Sequence, residues 1–406
     1  MSFSPVSLHS STPGESASFR DSPRRLHVLT LTPFYPFQGD ETAGCFIAEP
    51  LKWLDRAGIT NSVMAVRPIY RGRIRPETTI PPAHWAYYLA PPGGTGLAIS
   101  GAFLYSWLLP QIRRLHAQHP IDLIHAHAAL PCGHSAALVA GEIGIPYVVT
   151  VHGLDAFSTV QVKGMAGNWC RRISTKVFRD AKRVICVSER VREQVESGTR
   201  EVQSEVVYNG VDSVEFAPSE TKEETPTLTM LSVGNLIPSK GHELLLRAMG
   251  ELLARYPTLR YQIIGVGIEQ VRLAKLATTL GISDRVVFRG KRSRREVSDA
   301  MKDCTFFALS SYYEALGCVY QEAMACEKPV IACREQGIAE IIRSGENGLL
   351  VGENDLEDTV RAISMLLEDS ALRRTLGILA RRTICNRFTL EHQAARLAQV
   401  YRESLA

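Results

Sequence analysis

The feature of this sequence that most restricts its fold is an alternation, run through twice, of short apolar stretches with longer segments of helical period. In the first half the apolar stretches are 26–32, 62–66, 121–127, 146–152 and 183–187, each of strand length. Between them, 42–57, 96–116, 133–143, 168–180 and 188–196 repeat apolar residues every three to four positions. Such a chain builds strand–helix units around a parallel sheet, because parallel neighbours need a long crossover and a helix supplies it. Residues 213–227 then break the pattern: Pro218 and Pro226 flank the acidic Glu220, Glu223 and Glu224, and the stretch reads as an exposed linker. The alternation resumes with strand candidates 228–233, 260–265, 285–289, 305–309, 329–332 and 348–351, and residues 356–404 are helical except near 388–390. The fold class is therefore α/β, with two doubly wound domains in tandem, 25–212 and 228–387, and a last segment 388–406. Residues 1–24, rich in Ser and Pro without the apolar run of a signal peptide, read as a disordered tail.

Composition excludes several classes. At 406 residues the chain is long enough for two or three full cores. A balance of 46 basic against 42 acidic side chains is too even to make nucleic acid the main partner. The nine cysteines are odd in number, without a Cys-x-x-Cys pair or a histidine at zinc-finger spacing, and read as reduced thiols of a cytoplasmic protein. The most apolar run, 97–109, is shorter than the roughly 18 residues needed to cross a bilayer.

Open α/β sheets bind ligands beyond the carboxyl ends of their strands, so residues there are weighed first. Gly265-Val266-Gly267 follows a strand but lacks the third glycine of a dinucleotide fingerprint, and no Walker-type lysine motif occurs. In Gly234-Asn235-Leu236-Ile237-Pro238-Ser239-Lys240-Gly241, Lys240 falls where a helix begins. It either joins free backbone amides in a diphosphate cradle or is a surface lysine opening a helix. The richest stretch is 310–325: Glu314 lies in a loop, Gly317 opens a helix, and Glu322 follows about a turn and a half later. A loop carboxylate, bare amides and a helical carboxylate can together hold a sugar hydroxyl, a phosphate and a ribose diol. His125 is expected to point away from His127 and to serve packing, and Cys318, with no base beside it, is a small packing residue.

Glu314-x7-Glu322, followed by Ala-Met-Ala, Lys328-Pro329-Val330-Ile331-Ala332, Gly337, Glu340-Ile341-Ile342 and Asn347-Gly348-Leu349-Leu350-Val351, resembles the nucleotide-sugar site of retaining family 4 glycosyltransferases. Thr32-Pro33-Phe34-Tyr35-Pro36 with Gly44, His125-Ala126-His127, Thr150-Val151-His152-Gly153-Leu154-Asp155 and Tyr208-Asn209-Gly210-Val211-Asp212 extend the likeness over almost the whole chain. It is most similar to enzymes of exopolysaccharide or teichuronic-acid-type synthesis. The resemblance implies the GT-B fold: two Rossmann-like domains facing a cleft, acceptor on the first, donor mostly on the second, and the last helix crossing back. Carried over by position, Glu314 contacts the donor sugar, the amides of Gly317 and Cys318 with Lys240 the diphosphate, Glu322 the ribose, and His127 the reacting end of the sugar. Gly234, Asn235, Gly265 and Val319 complete the donor side, and Gly44, His152 and Asp155 line the acceptor side. The resemblance further implies transfer of a hexosyl-type sugar from a UDP- or GDP-sugar to a glycan or lipid-linked glycan, with no metal and no other cofactor. An epimerase or phosphorylase on the same fold, or a non-catalytic sugar-nucleotide binding subunit, remain the alternatives.

Three positions depart from the family pattern: Asn235 replaces an arginine, Glu327 a glycine, and Gln336-Gly337 a glycine pair. Arg289, Lys291, Arg292, Arg294 and Arg295 read as a solvated loop and helix start, with substitution for the missing guanidinium as the alternative. Arg67, Arg71, Arg73 and Arg75, with Trp85, Tyr87 and Tyr88 and the helix candidate bearing Phe103, Tyr105 and Trp107, suggest peripheral contact with an anionic membrane at its cytoplasmic face.

Overall fold

The computed structural model describes residues 24–38, 40–74, 79, 81–157, 162–219 and 227–406. Its first sheet contains β1 (Leu26–Thr32), β2 (Ile59–Pro68), β3 (His84–Tyr88), β4 (Leu123–His127), β5 (Tyr147–Val151), β6 (Arg183–Cys186) and β7 (Ser204–Val206). Its second contains β8 (Thr229–Val233), β9 (Arg260–Ile264), β10 (Val286–Gly290), β11 (Phe306–Ala308), β12 (Val330–Cys333) and β13 (Leu349–Val351). Both sheets are parallel, in the orders β3-β2-β1-β4-β5-β6-β7 and β10-β9-β8-β11-β12-β13. Each is therefore doubly wound, and strand order reverses between β1 and β4 in one and between β8 and β11 in the other. Those reversals fix where loops diverge and leave a crevice. β4, β5 and β12 are buried at every residue, as expected of strands covered by helices on both faces.

Buried apolar residues run without a break from the first sheet through Val211 and Phe216 into the helices beside the second. The chain passes between the domains at two adjacent points. There the Val211 N–H donates to Phe388 O at 3.0 Å, and the Leu390 N–H donates to Val211 O at 3.1 Å. The last helix, Leu390–Glu403, packs against the first-domain helix Leu51–Arg56 around Leu54, Leu397, Val400 and Tyr401.

Several expectations are corrected. The helix expected at 42–57 is two short helices, Cys45–Ala48 and Leu51–Arg56, because Pro50 cannot continue the first. The segment carrying Trp85 and Tyr87 is strand β3 paired with β2, with Tyr88 buried in the core, so it is not a free aromatic surface. Arg67 belongs to the end of β2, and its guanidinium donates to Arg71 O; Arg75 lies outside the described residues. Phe216, inside the expected exposed linker, is fully buried, and the Ser298 hydroxyl donates to Glu215 O at 2.7 Å. The tail 1–23 and residues 220–226 lie outside the described residues.

Candidate functional site

Because β8 and β11 are neighbours, the loops that follow them open side by side. The first approaches the loop after β9 so closely that a Cβ on Gly265, at φ +142°, would lie 1.9 Å from Gly234 O. These two glycines thus serve backbone contact. Asn235 is exposed, and its carbonyl accepts from the Ile237 N–H at 2.9 Å. A turn at Pro238–Lys240 and left-handed Gly241 then deliver Lys240 just ahead of the helix His242–Leu252. Lys240 Nζ forms an ion pair with the Glu314 carboxylate in the loop after β11, and both side chains are largely shielded.

The glycine-pair departure has a structural meaning. The buried Gln336 accepts the Glu314 N–H on its Oε1 at 2.8 Å and so fixes the backbone of that loop. Gly337 is retained where a Cβ would lie 1.8 Å from Ala315 O. Gly317, at φ +85°, opens the helix Cys318–Ala325, whose first turn leaves the N–H groups of Cys318 and Val319 without a helical acceptor. Burial pushes the Cys318 thiol up to about 12, so it stays protonated, and its sulfur accepts from Asn209 Nδ2 at 3.6 Å.

Glu322 is 3% exposed. Its Oε1 accepts from Arg294 Nη1 at 2.5 Å, and its Oε2 is buried without a partner. The same guanidinium reaches into the first domain, with Nε and Nη2 donating to the two oxygens of Glu49 at 3.0 and 3.1 Å, and lies 4.8 Å above the Phe216 ring. Burial pushes the Glu49 carboxyl up against the pull of Arg294. The reading of 289–295 as a solvated cluster therefore fails for Arg294, whose charge is shared by two carboxylates. Lys291 remains exposed, as expected, and pairs with Asp40 of the first domain at 2.8 Å. Arg289 and Arg292 are engaged locally, with Gln262 and Glu296.

On the first domain, β4 ends at His127 and the turn after β5 begins at His152. His125 and His127 occupy the same face, with ring centroids 4.2 Å apart, which overturns the expectation that they diverge. Residues two apart on a strand share a face, so the period itself requires this. His125 is tied at both ends, Nδ1 to the Tyr401 hydroxyl at 2.7 Å and Nε2 to the Thr150 hydroxyl at 2.6 Å. His127 Nδ1 is 3.1 Å from His152 Nε2, with the rings nearly parallel. Burial pulls His125 and His152 down to about 3 and His127 well below its ordinary value, so all three are neutral at pH 7. Phe46 and Phe34 flank His152, at 4.8 and 6.2 Å between centroids. Asp155 Oδ1 accepts from the His152 N–H at 2.9 Å, while burial raises its carboxyl to about 7. Gly44 is left-handed and abuts the backbone of Phe34 and Tyr35, so that a Cβ would fall 2.5 Å from Phe34 C.

The two faces meet. A Cβ built on Gly153, next to His152, would lie 2.7 Å from Ala315 Cβ and 3.2 Å from the Tyr313 hydroxyl, so the loops after β5 and β11 touch. The Ser188 hydroxyl donates to Ala315 O at 2.6 Å. Glu340 accepts from the N–H groups of Glu189 and Arg190 and from the Tyr208 hydroxyl, capping a first-domain helix with a second-domain carboxylate. His127, at the end of β4, and the loops carrying His152, Glu314 and Lys240 thus face one another across the domain boundary. A cavity of about 360 Å³, lined by Pro238, Gly241, His242, Arg247, Arg272 and Tyr312, opens on the second domain beside the turn that carries Lys240. The sequence reading missed Glu49 and Tyr401, the hold of Gln336 on the Glu314 loop, and the Arg294 bridge. Among the described residues no three His, Cys, Asp or Glu side chains are grouped as a metal site requires, and no helix is long and apolar enough to cross a membrane.

Two Rossmann-like sheets whose switch-point loops converge on a shared cleft, ion-paired on one side and lined with histidine on the other, define the GT-B class of two-domain transferases. Residues 213–383 match the family described as glycosyl transferases group 1, and residues 47–215 match glycosyltransferase family 4. An uncharacterized glycosyltransferase of Methanocaldococcus jannaschii is 32% identical over 257 residues, 63% of this chain and 68% of that protein. The D-inositol 3-phosphate glycosyltransferase of Rhodococcus opacus is 30% identical over 300 residues, 69% and 67% of the two chains. Among solved structures, sucrose-phosphate synthase of Thermosynechococcus elongatus superposes with a TM-score of 0.72 at 22% identity, over 93% of this chain and 98% of that one. Anabaena HepE in complex with UDP and glucose gives 0.71 at 20% identity, over 92% and 98%. The chain belongs to the family 4 glycosyltransferases of GT-B fold.

Proposed function

We propose that this glycosyltransferase moves a hexosyl-type sugar, with retention of anomeric configuration, from a UDP- or GDP-sugar to a hydroxyl of a glycan or lipid-linked glycan in cell-surface polysaccharide synthesis. The observation that carries the reading is the Lys240–Glu314 pair, set beside the open first turn of the helix at Gly317 and joined through the touching loops to His152 and His127. A lysine and bare amides suit a diphosphate, and a loop carboxylate suits the hydroxyls of the sugar it carries. The complexes of Anabaena HepE with UDP and with UDP-glucose support a nucleotide sugar as donor.

On this reading Lys240 and the amides of Gly317 and Cys318 screen the leaving diphosphate, Glu322 takes the ribose, Glu314 holds the donor sugar and His127 meets its reacting end. Retention proceeds by front-face departure and attack, with the leaving diphosphate accepting the proton of the acceptor hydroxyl. The protein positions the partners and stabilises developing charge, and needs neither a nucleophile nor a metal. Asn235 leaves one cation fewer opposite the diphosphate than the family pattern provides. The enzyme works at the cytoplasmic face of a membrane, where Arg71 and Arg73 and the exposed Tyr70, Phe103 and Trp107 of the first domain favour peripheral contact with anionic lipid. Co-sedimentation with anionic vesicles that falls with salt supports that location, and its absence at low salt removes it.

The test of function is release of free nucleoside diphosphate from a panel of UDP- and GDP-sugars with and without glycan acceptors, with the product anomer read by NMR. Acceptor-dependent release with a retained anomer is expected. An inverted anomer contradicts the mechanism, release independent of acceptor favours a phosphorylase or epimerase, and tight binding with no turnover favours a binding subunit.

A further inference from the structure

Three imidazoles stand in a row on the first-domain face, and only one of the contacts between their nitrogens forces a choice of tautomer. His125 meets two hydroxyls, Tyr401 and Thr150, and a hydroxyl can either donate or accept. His127 meets another imidazole: Nδ1 is 3.1 Å from His152 Nε2, and two neutral rings at that distance must share one proton between those nitrogens.

The far side of His152 decides which nitrogen carries it. His152 Nδ1 is buried and has no partner, and Phe46 and Phe34 flank the ring. If His127 Nδ1 held the proton, His152 Nε2 would be bare and its own proton would lie on Nδ1, leaving a buried N–H with nothing to donate to. If His152 Nε2 holds the proton, Nδ1 keeps only an unused lone pair. Buried donors are orphaned more rarely than buried acceptors are left under-satisfied. The neighbouring carboxyl offers no relief, because Asp155 Oδ1 is spent on the backbone N–H of His152 and neither Asp155 Oδ2 nor His152 Nδ1 finds a partner.

We propose that His152 is a positioning residue: it donates from Nε2 to His127 Nδ1 and thereby holds His127 as the Nε2–H tautomer, a hydrogen-bond donor rather than a base. The donor is offered to an oxygen of the transferred sugar or of the departing group. This rests on the reading of His127 given above and adds the direction of its hydrogen bond. Burial among rings supports it, since it keeps the pair neutral and the shared proton single.

Long-range proton–nitrogen NMR of the full chain labelled with ¹⁵N-histidine tests the tautomer without substrate, with His127→Asn identifying the His127 signals. The expected spectrum has a protonated Nε2 and a bare Nδ1 on His127, and the reverse pattern overturns the proposal. Kinetics give an independent reading. His152→Phe removes the donor and is expected to lower kcat about tenfold, the scale of one hydrogen bond, with the donor KM and nucleoside diphosphate affinity unchanged. His152→Gln, whose amide can donate from the equivalent place, restores most of that loss. Wild-type kcat in a folded His152→Phe, or a Gln variant no better than Phe, contradicts the role. The expected tautomer in a protein that transfers no sugar from any donor would instead sink the functional reading and leave the His152–His127 geometry standing.

Discussion

The two faces of the cleft are built on opposite electrostatic principles. The histidine cluster of the first-domain face is uncharged: three buried imidazoles, one of them flanked by phenylalanines, are held neutral by burial that pulls each well below its ordinary pKa. The second-domain face is made of ions kept in pairs, Lys240 with Glu314 and Arg294 with Glu322 and, across the boundary, Glu49. Burial raises the cost of a lone charge, and each face meets that cost differently, one by giving up charge and the other by pairing it. On the proposed reading, the second-domain face supplies the lysine for a diphosphate, and the first-domain histidines supply directed, neutral hydrogen bonds.

Breaking the ion-paired face has the largest expected effect. Arg294→Ala strands two shielded carboxylates and is expected to cost roughly 3–5 kcal/mol in denaturant unfolding; a loss under about 1 kcal/mol would show the bridge to be slack. Glu314→Ala removes a loop carboxylate with little packing. It is expected to leave stability within about 1 kcal/mol while lowering turnover about 10²-fold or more, whereas a loss below about tenfold in a soluble variant removes it from the site.

The neutral face is probed by acid. A histidine whose folded pKa is depressed contributes stability that is whole above its unfolded pKa near 6.5 and is lost as pH falls toward about 3, the folded value of His125 and His152. Each such group removes roughly 1.4 kcal/mol per pH unit in that window. His242, pulled down to about 4 by its own burial, adds to the slope, so the informative quantity is the difference between variants. His152→Phe should flatten the fall of stability between pH 6 and 4, and an unchanged slope would mean that His152 protonates freely in the folded protein. The smallest expected effect is none: a chelator leaves turnover unchanged, and complete inhibition reversed by magnesium would contradict a metal-free transfer.

Much of the fold was legible because strands and helices here follow their periods. β7, Ser-Glu-Val, was not, since it is too short and too polar to show one, and β3, His-Trp-Ala-Tyr-Tyr on a sheet edge, was not, because its aromatics read as an exposed surface. The break at Pro50 was written in the sequence and overlooked, as was the period of two that puts His125 and His127 on one face. The Lys240–Glu314 contact could be anticipated only as two loops on adjacent strands. Pairing of Arg294 with Glu49 leaves no local trace, because residues 245 apart are brought together by the docking of two domains. The contact between His127 and His152 needs the register of β4 against β5, which places His127 opposite Thr150 and His152 two residues beyond it on the same face.

The division of labour between the faces is tested most directly by calorimetric binding of UDP and GDP to the wild-type chain, Lys240→Ala and His127→Ala. The account predicts that one of the two nucleotides binds the wild type, that Lys240→Ala weakens it about tenfold or more, and that His127→Ala leaves it unchanged. Equal affinity in wild type and Lys240→Ala, or a loss in His127→Ala as large as in Lys240→Ala, would contradict it.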